Sequence, residues 1–107
     1  MLDGTFLIGS PGRSPSEAFR IAVSVAKSKY CNNIHVHPII NKFSYFILDD
    51  DMIYDSYTDA QNEANIILNN KNKNSDIMSK YAVCLQYKNI NGGIDYLFFG
   101  WDSSVFV

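Results

Sequence analysis

Few side chains in this chain have the types and spacing to do chemistry. His35 and His37 stand two residues apart, so on a strand both imidazoles point to one face. Such a pair could hold a metal or share acid–base work. A metal would want further ligands, and the nearest are Asp49, Asp50 and Asp51. The competing reading is the solvent side of an edge strand, with Ile34 and Val36 facing the core. The run GSPGRS (9–14) links an apolar stretch to a helix start, where backbone N–H groups can bind an anion. Arg13 and Ser14 are its candidate phosphate-binding residues. The spacing matches neither the Walker loop nor the dinucleotide fingerprint, and a plain capped helix accounts for Ser14, Pro15 and both glycines. Cys31 and Cys84 lack zinc spacing, and both read as reduced thiols. A Cys nucleophile needs a base within hydrogen-bond reach, and no sequence feature brings His35 to Cys31. No motif supplies a convergent acid, base and nucleophile. No cofactor or metal is expected.

A second kind of chemistry is association. Asp49, Asp50, Asp51, Asp55 and Asp59 form a run of acids with no base between Lys42 and Lys71. The run lacks the calcium-loop pattern of spaced acids, central Gly and terminal Glu. It reads either as a solvated turn leading into an acidic helix start, or as a face that steers a basic partner. The segment YLFFGWDSSVFV (96–107) is the richest aromatic stretch. Tyr96 and Phe98 point one way, and Leu97, Phe99 and Trp101 the other. Such a strand is either covered on both faces or leaves rings exposed for a partner.

These residues need a scaffold. The chain has 107 residues, 47% hydrophobic and 19% charged, which predicts one domain over 1–107 with a packed core. A net charge of −2 disfavours bulk attraction to nucleic-acid or membrane phosphates. No apolar run is long enough to span a bilayer, and the N-terminus lacks a secretory pattern, so a cytoplasmic protein is expected.

Residues 5–9 read as a strand. Ser14 with Glu17 forms a capping box, with Pro15 at the first helical position. Ala18, Phe19, Ala22, Val23, Ala26 and Tyr30 then share one face, which predicts a helix over 15–30. Strands are expected at 33–40 and 42–48, turning near Asn41, with a short addition at 52–55. Thr58 and Gln61 suggest a second helix over 59–69. A polar linker follows at 69–76. Tyr81, Val83, Leu85 and Tyr87 alternate with Ala82, Cys84 and Gln86, which predicts a strand over 80–88. NINGG (89–93) is turn chemistry leading back through 94–101, and 105–107 offers an edge. The expected class is α+β, a mainly antiparallel sheet with two helices in the order β-α-β-β-α-β-β.

The string DGTFLI resembles the second strand of SH2 domains, and FSYFILDDDMIYDSYTDA resembles that family's passage from strand to second helix. The resemblance implies a phosphopeptide reader and a strand over 18–26. The family's phosphate-pairing arginine is replaced here by Gly9, and Arg13 or His35 would have to substitute.

Three functions follow. The first is a non-catalytic inhibitor or immunity-type protein. It would neutralise a protein partner such as a basic toxin through Asp49, Asp50, Asp51 and Asp55, with Tyr54 and Trp101 as anchors. The second is a small enzyme or phosphate-ligand binder using Arg13, His35 and His37. The third is the SH2-like reader.

Overall fold

The computed structural model describes residues 5–30, 39, 44–69 and 81–101. Its elements are β1 (Thr5–Ser10), α1 (Pro15–Tyr30), β2 (Ser44–Ile47), β3 (Ile53–Tyr54), α2 (Tyr57–Asn69), β4 (Tyr81–Lys88) and β5 (Ile94–Trp101). This is the α+β order expected from sequence. Apart from buried Ile39 and from Asn69 at the end of α2, the expected strand at 33–40, the turn near Asn41, the linker at 69–76 and the strand at 105–107 lie outside the described residues.

The start of α1 is fixed locally. The Glu17 amide donates to Ser14 Oγ at 3.2 Å, and the Glu17 carboxylate accepts from the Arg13 amide at 3.0 Å. The box therefore closes one residue earlier than its usual form, in which the carboxylate returns to the cap residue itself. Gly12 passes so close to the first turn that a Cβ there would lie 2.7 Å from the Ala18 amide nitrogen. Ser10 Oγ donates to the Ala18 carbonyl at 2.9 Å and ties strand end to helix. Replacing Ser14 with Ala is expected to cost about 1 kcal/mol, read as a lowered urea midpoint with unchanged slope.

Helix α2 begins two residues earlier than its sequence signal. Ser56, and not Thr58, is the cap: its Oγ accepts from the Asp59 amide at 3.2 Å, and its carbonyl accepts from Ala60. Both pairs fit the capping spacing. The earlier start adds Tyr57 to the helix, and its ring meets Tyr87 edge-on at 5.4 Å.

All five strands belong to one sheet, in the order β1-β5-β4-β2, with β3 also paired to β4. The two long pairings, β1 with β5 and β4 with β5, are antiparallel. The short ones, β2 and β3 with β4, are parallel. Among the described residues β4 and β5 form the one hairpin. The strands between the helices reach β4 through the α2 crossover, as parallel pairing requires.

The helices cover opposite faces. Under α1, buried Ala18, Ala22 and Ala26 meet Phe6, Ala82, Cys84, Tyr96 and Phe98. Under α2, Ala60, Ala64 and Leu68 meet Val83, Leu85, Tyr87, Leu97 and Phe99. The alanine stripes let both helices lie close to the sheet. The aromatic run of β5 is therefore covered twice, which removes it as an exposed docking patch. Among the described residues no helix is long and apolar enough to cross a membrane.

Candidate functional site

The edge of the sheet beyond β4 is one strand broken in two. Ile47 pairs with Cys84, and Ile53 pairs with Gln86. Leu48, Asp49, Asp50, Asp51 and Met52 thus stand opposite the single residue Leu85, and the surplus chain is extruded from the edge. The turn is held from within: the Asp51 amide donates to Asp49 Oδ1 at 3.1 Å, and the Met52 amide to the Asp49 carbonyl at 3.2 Å. It is also held from the sheet, where Gln86 Nε2 donates to the Asp50 carbonyl at 3.1 Å. An irregular, charged edge of this kind resists strand-to-strand pairing. It also presents three carboxylates on a fixed frame.

Asp49, Asp50, Asp51, Asp55 and Asp59 are all exposed. The nearby base Lys88 reaches Asp55 at 3.8 Å, a solvent-exposed pair that contributes little. Exposed among these acids are the apolar Leu48, Met52, Ile53 and Tyr57, together with Thr58. Exposed cations Arg13, Arg20 and Lys27 lie on or just before α1, the helix of the other face.

The two expected anchors are not the exposed ones. Tyr54 pairs with Tyr87 in the sheet and packs against the α2-side core. Burial raises its pKa first, helped by the carboxylates of Glu63 and Asp49. Trp101 also packs against that core, and its register sets it beside Thr5, two positions beyond the Phe99–Val83 pair. That places it opposite the start of β4, while the acidic turn lies near Gln86. The two are separated by roughly 16 Å along the strand. The structure groups Asp49, Asp50, Asp51 and Asp55 and leaves Trp101 apart. Leu48, Met52, Ile53 and Tyr57 were legible only as apolar letters scattered through LDDDMIYDSY.

Strands β1, β2, β3 and β4 run in one direction and β5 against them. Both helices therefore start at the same end of the sheet, where β1, β3 and β4 finish. Arg13 and Ser14 sit there. The Ser14 hydroxyl and the Arg13 amide are both engaged with Glu17, so a carboxylate already occupies the loop that a phosphate would enter. His35, His37 and Cys31 lie outside the described residues. Among the described residues no three His, Cys, Asp or Glu side chains converge on a cation-sized space.

Residues 18–26 are helical, so the strand implied by the SH2 resemblance is overturned. Gly9 falls on the α2 side of β1. A Cβ there would lie 2.9 Å from Tyr87 Oη and 3.1 Å from Tyr57 Cε1. The place of that family's arginine is filled by two tyrosine rings. No protein family, characterised protein or solved structure matches this chain. Function therefore rests on the geometry of the edge.

Two buried groups under the helices make alkaline stability a direct test of this packing. Burial pushes the Cys84 thiol from 9.0 up to about 12. Burial, then Asp95 and Tyr57, push the Tyr87 phenol from 10.0 up to about 12. Above the unfolded values the unfolded chain releases protons that the folded chain keeps, so stability falls as pH rises. The decline is expected to begin near pH ~9 through Cys84 and to steepen above pH ~10 through Tyr87, joined by Tyr54 and Tyr96, whose phenols burial also raises. Urea titrations at stepped pH should show a shallower decline between pH ~9 and ~10 for Cys84→Ala. An unchanged slope would mean that the thiol is not buried as described.

Proposed function

We propose that this chain is a non-catalytic cytoplasmic binding protein of the inhibitor or immunity type, which neutralises a basic macromolecular partner such as a toxin. One observation carries the reading: an edge strand interrupted by a braced turn that projects Asp49, Asp50 and Asp51 among exposed Leu48, Met52 and Ile53. Carboxylates steer encounter with a cationic surface, and the apolar side chains supply area to bury once contact is made. Braced in this way, the turn loses little freedom on binding, so more of the contact energy is retained.

The test compares two affinity columns in native lysate. One carries the wild-type chain. The other carries Asp49→Asn/Asp50→Lys/Asp51→Lys, in which the side-chain amide oxygen introduced at position 49 can still accept the bond that shapes the turn. The expected result is a basic protein retained by the wild type, eluted by salt, and lost from the variant. Identical retention on both columns, or retention of acidic proteins alone, would overturn the reading.

A further inference from the structure

Asn91 is the one asparagine in the chain that is followed by glycine. Asparagine is thermolabile because the backbone nitrogen of the next residue can attack its side-chain carbonyl carbon. A glycine at that next position lacks the Cβ that would crowd the approach. In this chain the pair lies in the turn joining β4 to β5, and both residues are exposed. A Cβ built on Gly92 would meet no atom within 4 Å, so there is room for a five-membered ring beside the 91–92 peptide. The bonds that Asn91 and Gly92 make within the turn use their backbone amides and leave the Asn91 carboxamide out.

The attacking nitrogen is itself restrained. The Gly92 amide donates to the Asn89 carbonyl at 3.1 Å. Asn89 Oδ1 accepts from the Asn91 amide at 2.9 Å and the Gly93 amide at 3.0 Å. Asn89 Nδ2 donates to Asp95 Oδ1 at 3.1 Å, and the Asn89 amide donates to the Gly93 carbonyl at 2.9 Å. Gly92 takes φ +87°, which a side chain would resist. Asn89 therefore holds the backbone on both sides of the reacting nitrogen. Attack needs that nitrogen out of its bond and stripped of its proton, so the turn must open locally first.

We propose that Asn91 is a self-modifying site, converting to aspartate and isoaspartate through a succinimide closed by Gly92, at a rate governed by opening of the Asn89-braced turn. Hydroxide takes the Gly92 amide proton, and the nitrogen bonds to Asn91 Cγ. The Cγ–Nδ2 bond breaks, and the departing nitrogen takes a proton from water and leaves as ammonia. Water then opens the ring. Cleavage of the new Cγ–N bond gives aspartate, and cleavage of the original peptide bond gives isoaspartate. The net change is an amide plus water giving a carboxylate and ammonium, with no oxidation or reduction. Either product adds one negative charge to a chain of formal net charge −2. Isoaspartate also routes the main chain through the former side chain, which lengthens it between residues 91 and 92 and spoils the reach of the Gly92 and Gly93 amides to Asn89. Strands β4 and β5 are the inner pair of the order β1-β5-β4-β2, so a loosened turn weakens the centre of the sheet.

The test follows Asn91 by peptide mapping and mass spectrometry, with fragmentation that tells isoaspartate from aspartate. Wild-type chain, folded or unfolded in guanidinium, is incubated at physiological temperature over a series of mildly alkaline pH values. The expected result is conversion at Asn91 in the folded chain, faster as pH rises and slower than in the unfolded chain. Asn89→Ala, shown to be folded by circular dichroism, should convert roughly two- to tenfold faster than wild type. Asn89→Ser, whose hydroxyl braces turns more weakly, should fall between wild type and the unfolded chain and carries the comparison if Asn89→Ala does not fold. Asn91→Gln should abolish conversion in the turn, because its longer side chain must close a six-membered ring. The isoaspartate fraction, separated by ion exchange, should melt below the unmodified protein. An intact Asn91 in the folded chain while the unfolded chain converts would overturn the site. Equal rates in folded, unfolded and Asn89-substituted chains would overturn the restraint and leave the chemistry. An isoaspartate fraction that melts as the unmodified protein does would overturn the consequence drawn for the sheet.

Discussion

Phe98→Ala is expected to destabilise the fold by about 3–5 kcal/mol, the largest effect of any single truncation considered. Phe98 is fully buried in the middle of β5, on the α1 side. Its ring meets Phe19 edge-on at 5.4 Å and Tyr45 edge-on at 5.7 Å. Truncation removes the transfer energy of the ring and two aromatic contacts, and it leaves a void between strand and helix that alanines cannot fill. A domain of this size holds only about 5–15 kcal/mol in total, so the variant should be partly unfolded at physiological temperature. Urea unfolding followed by circular dichroism would show a sharply lowered midpoint. Phe98→Leu should be the milder change, because it keeps most of the volume. A cost below about 1 kcal/mol for Phe98→Ala would contradict the packing of α1 on this face.

Asp49→Asn/Asp50→Lys/Asp51→Lys is expected to slow association with the captured basic partner by roughly ten- to a hundredfold at low salt. The three acids are exposed and belong to no buried network, so fold stability should stay within about 0.5 kcal/mol. The wild-type rate should fall steeply as salt is added, and the variant's rate should depend on salt weakly or in the opposite sense. Stopped-flow or surface-capture kinetics over a salt series separates this from a packing effect, which would appear in dissociation. An association rate indifferent to both salt and charge reversal would remove electrostatic steering.

Much of the fold was legible because its signals are local. The Ser14–Glu17 pair with Pro15 marks where α1 starts, and the Ala18, Ala22 and Ala26 stripe marks its buried face. The alternation through Tyr81–Lys88 and Ile94–Trp101 assigns each side chain to the helix that covers it. What was hidden depends on partners distant in sequence. Nothing in SYFI or IY announces that both segments lie parallel to β4, or that Leu48–Met52 stand opposite one residue. The same long-range register buries part of Tyr54 and carries Trp101 away from the acids. At α2 two capping pairs overlapped, and the ring contact made by Tyr57 is visible only in three dimensions. NINGG was legible as a turn, but neither the Asn89 bonds that brace it nor the end of the sheet it joins shows in the sequence.

Strand β1 finds its partner in β5, with Thr5 beside Trp101. On a ribosome β1 must therefore wait for β5. At about 5–20 residues per second that delay amounts to several seconds or more, during which TFLIGS lacks the β5 ladder it will join. Among the described strands the sheet is thus completed only after β5 is made, with the β4–β5 hairpin available to form locally and β1 added across a long sequence separation.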